Sequence, residues 1–272
     1  MGSELYEKFK ALHTRPRGLV LPNAWDAPSA LILADAGFEA IGTSSAALAA
    51  ILGRIDGRHA VSRDEHIAHA EVLARATDLP VNGDFEDGYG DTPEDVAATV
   101  DAVVEHGLAG IGIEDTTANP DAPIRDFDDA VARVRAAVRA ADRRIVVTGR
   151  TDNYLQGRPD LDDTIRRLTA FAEVGADVLY APGAPDLDSV VKIVTAVAPT
   201  PVNVLVSPAD RVLTVPELQK AGVKRVSLGP ELYANALTAL EHAANALRRG
   251  DIASATSGIG FGRIYDLVAS AS

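Results

Sequence analysis

The stretch VEHGLAGIGIE, residues 104–114, decides the fold. A helical segment stops at Gly107, and a short apolar run, Gly110–Glu114, ends on an acid. The same junction recurs as ADAGFEAIG (34–42), AEVGADVLYA (172–181) and QKAGVKRVSLG (219–229). In each, a glycine separates a helical segment from the next apolar run, because glycine accepts the left-handed conformation that stops a helix. Four near-copies of one junction are an internal repeat of a strand–helix unit.

Outward from these junctions the alternation continues. Strand candidates are Leu19–Asn23, Ala40–Ser44, Pro80–Phe85, Gly110–Glu114, Arg144–Gly149, Asp177–Ala181, Val202–Val206 and Arg225–Leu228. They are apolar nearly throughout, as parallel strands covered on both faces are. The helical segments between them open on capping residues: Ser62 before Asp64 and Glu65, Thr92 before Pro93, and aspartates near 126 and 162. Eight units in 272 residues point to an α/β fold, a (β/α)8 TIM-type barrel, with an open doubly wound sheet as the alternative. One domain is expected over 1–272. Residues 1–18 read as a leading helix. A helical tail starts at about 251 and either closes the barrel bottom or reaches a neighbouring subunit.

Composition narrows the function classes. Cysteine is absent, so disulfides, thiolate metal sites and a cysteine nucleophile are excluded, which fits a reducing cytoplasm. No apolar run is long enough to cross a bilayer, and MGSELYEKFKALHTRPRG lacks the apolar core of a secretory signal. A net charge of −13 disfavours nucleic acid and anionic membranes as partners and serves solubility. The expected partner is a small-molecule carboxylate.

In a parallel barrel the carboxyl ends of the strands carry the active site. Polar residues fall there: Asn23 before Trp25 and Asp26, Thr43-Ser44-Ser45, Asp84 and Glu86, Glu114-Asp115, Arg150-Thr151-Asp152, and a seventh strand from Asn203 to Ser207. A single acid at a strand end can equally cap a helix, and for Asp87 and Asp91, in a glycine turn, that is the better account. Residues 84 and 86 share a parity and are expected on one side of their strand, next to Glu114. Three crowded carboxylates repel one another unless neutralised, and a hard divalent ion with oxygen ligands does this; Mg²⁺ fits best, with Mn²⁺ as the alternative. Arg150 supplies the opposite sign, either as a bidentate clamp on a substrate carboxylate or as a structural salt bridge. Gly42–Ser45 offers N–H groups and hydroxyls to an oxyanion. His66 and His69 read as surface residues of an outer helix, and His13, His59, His106 and His242 fall away from strand ends. Neither a phosphate-binding Gly-Lys-Ser/Thr loop nor a Gly-x-Ser-x-Gly elbow is present.

In order, NAWDAPSA, GTSSAALAAILGRIDG, GDFEDGYGD, GIGIEDT and TGRTD resemble the isocitrate lyase / phosphoenolpyruvate mutase superfamily, over roughly Leu19 to Gly229. The resemblance implies a barrel, Mg²⁺, and a 2-oxo or 2-hydroxy carboxylate cleaved through an enolate. It implies a metal set of Asp84, Glu86, Glu114 and Asp56, and Arg150 as the carboxylate clamp. The expected substrate-binding set is Gly42, Thr43, Ser44, Arg150, Trp25 and Asn203. The expected catalytic set is Arg150, Glu114 and Tyr89, with the last two as alternative bases. It also implies a homo-oligomer, dimer or tetramer, in which a C-terminal helix is sometimes swapped.

The departures are specific. Where the isocitrate lyases carry a Lys-Lys-Cys-Gly-His loop, this chain has TTANPDAPIRD (116–126), in which Asn119 is a candidate counterpart of the mutases' loop asparagine. VLYAPG (178–183) stands where the superfamily has a histidine. The expected activity is therefore a Mg²⁺-dependent carbon–carbon lyase or decarboxylase. The rivals are a phosphonopyruvate-type P–C mutase or hydrolase and a non-catalytic binder of 2-oxo acids.

Overall fold

The computed structural model describes residues 2–205 and 213–271, so Val206 and Ser207, expected at the end of the seventh strand, lie outside the described residues. The apolar runs form eight short strands: β1 (Leu19–Leu21), β2 (Ile41–Gly42), β3 (Val81–Asp84), β4 (Gly110–Glu114), β5 (Val146–Arg150), β6 (Val178–Tyr180), β7 (Val202–Leu205) and β8 (Arg225–Ser227). All pair in parallel, in the order β1-β8-β7-β6-β5-β4-β3-β2. The two ends of this sheet meet through one bridge, Asn23 with Gly42. There the Gly42 N–H donates to the Pro22 carbonyl at 2.9 Å and the Ala24 N–H to the Gly42 carbonyl at 2.8 Å. The result is a nearly closed (β/α)8 barrel, since the edges of an open sheet would not touch.

The helices are α1 (Gly2–Thr14), α2 (Ala27–Asp35), α3 (Ser45–Ile51), α4 (Arg63–Ala76), α5 (Pro93–Glu105), α6 (Phe127–Ala141), α7 (Leu161–Glu173), α8 (Leu187–Val197), α9 (Val215–Lys220), α10 (Glu231–Arg248), α11 (Ile252–Ala255) and α12 (Phe261–Ala271). Ser62 and Thr92 cap α4 and α5 in reciprocal boxes with Glu65 and Asp95. Asp160, two residues before the expected Asp162, caps α7. The four junction glycines, Gly37, Gly107, Gly175 and Gly222, have φ of +85°, +80°, +102° and +92°. Their repetition in the sequence thus records a backbone demand.

Alternation along each strand separates two environments. Ile111, Ile113, Val147, Leu179, Val204 and Val226 join the apolar layer of the outer helices, with Val96, Val100, Leu168 and Phe171. Each large side chain so buried stabilises the fold by roughly 1.5–3 kcal/mol. The opposite parity points inward and is polar towards the carboxyl end: Asn82, Asp84, Thr148, Arg150, Asn203, Arg225 and Ser227 line an interior cavity. Below it, Tyr6 and Phe9 of α1 pack with Leu19, Ala109, Val146 and Val178.

The barrel bottom is therefore covered by α1, not by the C-terminal tail. The tail lies against the barrel's flank, where Arg263 pairs with Asp35 of α2 and Leu267 is buried beside Leu31 and Ala34. Along α10 only Ala246 is buried, and Leu237, Leu240 and Leu247 are 45–64% exposed.

Candidate active site

The cavity at the carboxyl ends of the strands has a volume of about 300 Å³. At its mouth Ser45, the first residue of α3, binds two acids. Its N–H and hydroxyl lie 3.0 and 2.9 Å from Asp84 Oδ2, and the hydroxyl is 3.1 Å from Asp56 Oδ2. A hydroxyl carries one proton, so it satisfies only one of these carboxylates at a time. The other Asp56 oxygen is buried without a partner among the described residues. Burial, followed by the charge of Asp84, pushes the Asp56 carboxyl up to about 6. Oxygen-only donors with excess negative charge suit a hard divalent ion that keeps much of its water. Asp84 and Asp56 therefore fit Mg²⁺ or Mn²⁺, although no three His, Cys, Asp or Glu among the described residues are grouped to hold a metal by themselves.

Arg150, the last residue of β5, stands across from them. Its Nε and Nη2 make a fork on Asp152 at 2.6 and 2.8 Å. Its Nη1 lies 2.8 Å from Glu114 and 3.5 Å from Asp84. Beneath it is the Tyr180 ring, 5.1 Å from the guanidinium carbon to the ring centre. Desolvation lowers its affinity for the proton, but the charges of Asp152, Glu114, Tyr180 and Asp84 outweigh this and hold it well above its usual range. The fork expected for a substrate is thus filled by Asp152, which is itself fixed from behind. Asp115 accepts from the Asp152 N–H at 2.9 Å and from the Thr151 hydroxyl at 2.7 Å, and Arg167 lies 3.2 Å from it.

Glu114 turns to Arg150 and to the Thr116 hydroxyl, 2.9 Å away. Burial, with Asp152 and Asp84 adding to it against Arg150, raises its pKa well above the carboxylate range. Glu86 departs from the parity argument. β3 ends at Asp84, and Glu86 sits at φ +48° in the turn beyond, so the two side chains do not share a strand face. Glu86 is buried, lies 3.4 Å from both the His59 N–H and the Tyr89 hydroxyl, and does not line the cavity. Burial and then the Asp56 charge push it up to about 7. Tyr89 is at φ +62°, and its hydroxyl donates to the Val61 carbonyl at 3.2 Å. Burial and then the Glu86 charge drive its pKa far up, which disfavours its use as a base.

The turn that carries these two is organised by Asp87, which is wholly buried. Asp87 meets His59 Nε2 at 2.7 Å and Arg125 at 2.6 Å. Arg133 donates to the carbonyls of Asp87, Tyr89 and Gly90. Asp87 is therefore the anchor of the turn, more than a surface residue in it. Two histidine readings change as well. His66 is 3% exposed, with its ring against Phe85 and Tyr89 and its Nε2 3.9 Å from Glu86. It faces inward because α4 packs that side on β3. His59 is likewise brought to the strand end by Asp87.

Of the expected substrate-binding residues, Thr43, Ser44, Arg150 and Asn203 line the cavity, while Gly42 and Trp25 do not. Three of the four N–H groups of Gly42–Ser45 are bonded to Pro22, Asn82 and Asp84, so that of Ser44 is the one without a partner among the described residues. Trp25 rests against Tyr233 of α10, with ring centres 5.6 Å apart. The sequence reading missed Asn82, Thr148 and Arg225, and it gave Ser45 to an oxyanion where the structure gives it to Asp84 and Asp56. For Arg225 the available signal was its parity with Ser227, which places both inside the barrel.

Residues 9–248 match the phosphoenolpyruvate phosphomutase family. An uncharacterized protein of Mycobacterium tuberculosis strain H37Rv is 38% identical over 245 residues, 89% of this chain and 90% of that protein. Oxaloacetate decarboxylase of Pseudomonas paraeruginosa strain PA7 is 32% identical over 182 residues, 64% of this chain and 61% of that enzyme. The crystal structure of 2,3-dimethylmalate lyase aligns with a TM-score of 0.87 at 25% identity, covering 97% of this chain and 94% of that one. With its nearly closed parallel barrel and this match over most of its length, the chain belongs to the phosphoenolpyruvate phosphomutase family of the isocitrate lyase / phosphoenolpyruvate mutase superfamily.

Proposed function

We propose that the chain is a divalent-ion-dependent lyase or decarboxylase acting on a small 2-oxo or 2-hydroxy carboxylate through an enolate. The observation that carries this reading is the pair Asp84 and Asp56 sharing one Ser45 hydroxyl across the cavity mouth from Arg150. Asp84 and Asp56 would hold Mg²⁺ or Mn²⁺, which when bound supplies Lewis-acid stabilisation of negative charge developing on a substrate oxygen.

The chain's own groups do the rest. Arg150 has five N–H donors in a planar array and spends two of them on the Asp152 fork, with Nη1 ion-paired to Glu114. The remainder can orient a substrate carboxylate at the mouth without breaking the Asp152 fork. The Ser44 N–H is a fixed dipole available to a developing oxyanion. Loss of carbon dioxide from a 2-oxo diacid needs no protein base to begin. The enolate must then be protonated, and Glu114, whose affinity for a proton burial raises, is the group we assign to deliver it through water. The apolar Leu155 and Leu205 at the cavity wall limit the water that reaches the carbanion.

The test is a turnover assay across 2-oxo and 2-hydroxy acids with Mg²⁺, repeated with EDTA. Turnover that EDTA abolishes and Mg²⁺ or Mn²⁺ restores is expected. Absence of turnover across the panel, or turnover indifferent to EDTA, sinks the reading.

A further inference from the structure

Arg225 is the first residue of β8, 2% exposed, and its side chain lines the cavity below the mouth. Its Nη2 donates to the Thr148 hydroxyl at 3.1 Å. Its Nε and Nη1 have no partner among the described residues, and no carboxylate there forms an ion pair with it. Burial pulls its pKa down to about 10, opposed by Tyr180 alone. An uncompensated buried charge is strongly destabilising, so a fold that keeps one has a use for it. Two further orphans lie in the same cavity: the Oδ1 atoms of Asn203 and Asn82. Gly110 makes room for the latter, since a Cβ there would come within 2.6 Å of Asn82 Oδ1. The depth of the barrel thus offers a buried guanidinium with two unpaired N–H-bearing nitrogens, which is the chemistry that receives an anion, while the two amide oxygens call for water or a substrate hydroxyl.

We propose that Arg225 is a specificity-determining residue that receives the second carboxylate of a small dicarboxylate whose first carboxylate lies at the mouth beside Arg150. The assignment rests on the proposed reading of the cavity as the substrate site and says which end of the substrate goes where. Charge balance supports it. At the mouth one guanidinium faces Asp84, Glu114 and Asp152, so an arriving anion is welcome there only with a divalent ion. Lower down the balance is positive, and a carboxylate on Arg225 replaces a desolvated lone charge with a charge-assisted pair. A cavity of about 300 Å³ holds both carboxylates of a diacid of roughly four or five carbons, at the small end of ligand pockets. A monocarboxylate would leave Arg225 uncompensated, and this difference is the source of discrimination.

The experiment is calorimetric titration of the full chain, with Mg²⁺ present, by succinate and oxaloacetate and by their mono-acid counterparts butyrate and 2-oxobutyrate. The wild-type protein is expected to bind each diacid at least about tenfold more tightly than its counterpart, the scale of one lost charged hydrogen bond. Arg225→Gln is expected to abolish that preference while changing mono-acid affinity less than about twofold. No preference in the wild type, or a preference that survives in Arg225→Gln, overturns the assignment. Should Arg225→Gln not fold, a wild-type crystal grown with succinate decides: a carboxylate on Arg225 supports the assignment, and both carboxylates elsewhere overturn it. The two readings fail separately. Diacid binding that depends on Arg225 without turnover of any acid removes the lyase and keeps this site. Turnover of a diacid with KM unaltered in Arg225→Gln removes this site and keeps the lyase.

Discussion

Arg150 and Arg225 line one cavity and live in opposite electrostatic worlds. Arg150 is 15% exposed in its side chain and surrounded by three carboxylates, so its proton is held more tightly than in water. Arg225 is more deeply buried and has a single hydroxyl, so burial dominates and its proton is held less tightly. The contrast teaches that a guanidinium in a cavity is not of itself a ligand site. A paired one is an organiser, available to an anion only through its spare N–H groups. An unpaired one is a charge deficit awaiting a partner.

The largest expected effect tests the first half of this contrast. Arg150→Ala should reduce turnover at least ~1000-fold, about 4 kcal/mol of barrier, because it removes the substrate's partner and leaves Glu114, Asp84 and Asp152 facing one another. Steady-state kinetics on any accepted acid measures it, and a loss below tenfold would remove Arg150 from the chemistry. Asp87 is the control, a buried carboxylate fully paired with Arg125 and near Arg133 but outside the cavity. Asp87→Asn should cost about 3 kcal/mol of stability in urea denaturation, by leaving the buried Arg133 without a carboxylate and Arg125 with Asp129 alone.

Asp84→Asn comes next. It should erase the rise in melting temperature that Mg²⁺ gives the wild-type protein, worth about 2–3 kcal/mol when the ion is well above its dissociation constant. Thermal melts across a Mg²⁺ series check it; an unchanged rise would move the ion elsewhere.

The smallest effect reads the field of Arg225 from outside the cavity. His13 of α1 is 1% exposed, and burial first, then the charge of Arg225, hold its pKa down to about 3. The unfolded chain binds that proton near the ordinary value of about 6.5. His13 therefore leaves stability intact above about 6.5 and erodes it as pH falls towards about 3, by up to ~1.4 kcal/mol per pH unit. Arg225→Gln removes the second cause and raises the folded pKa of His13, so its acid loss should level off at a higher pH than that of the wild type. Urea midpoints from pH 5 down to pH 3 settle it, with the same levelling in both proteins counting against a lone charge on Arg225.

Much of the barrel was legible because parallel strands covered on both faces must be apolar runs, and because a helix that turns into a strand needs a residue at positive φ. Gly107 and Gly175 advertise that need plainly. The placement of Asp84 and Arg150 was legible for the same reason, since each stands at the carboxyl end of an expected strand, Pro80–Phe85 and Arg144–Gly149. Glu86 was not. Its direction depends on a left-handed turn that Arg133 holds from another helix, 47 positions away, and parity ceases to apply where a strand has ended. His66 was misread because helical spacing alone does not say which face meets the sheet. Arg225 hid inside a run that reads as an ordinary strand, and its isolation is a property of its surroundings, which no local pattern carries.

The seam between β1 and β2 has a consequence of its own. Where other neighbours share a ladder, these two rely on one bridge and on the Asn23 side chain, which donates to the Thr43 carbonyl at 2.6 Å and accepts from the N–H groups of Leu228 and Gly229. A lone amide thereby stitches three strand ends beside the cavity. Breathing of the barrel should begin at that stitch, and deuterium should enter the amides of Ala24 and Gly42 before those of the central strands.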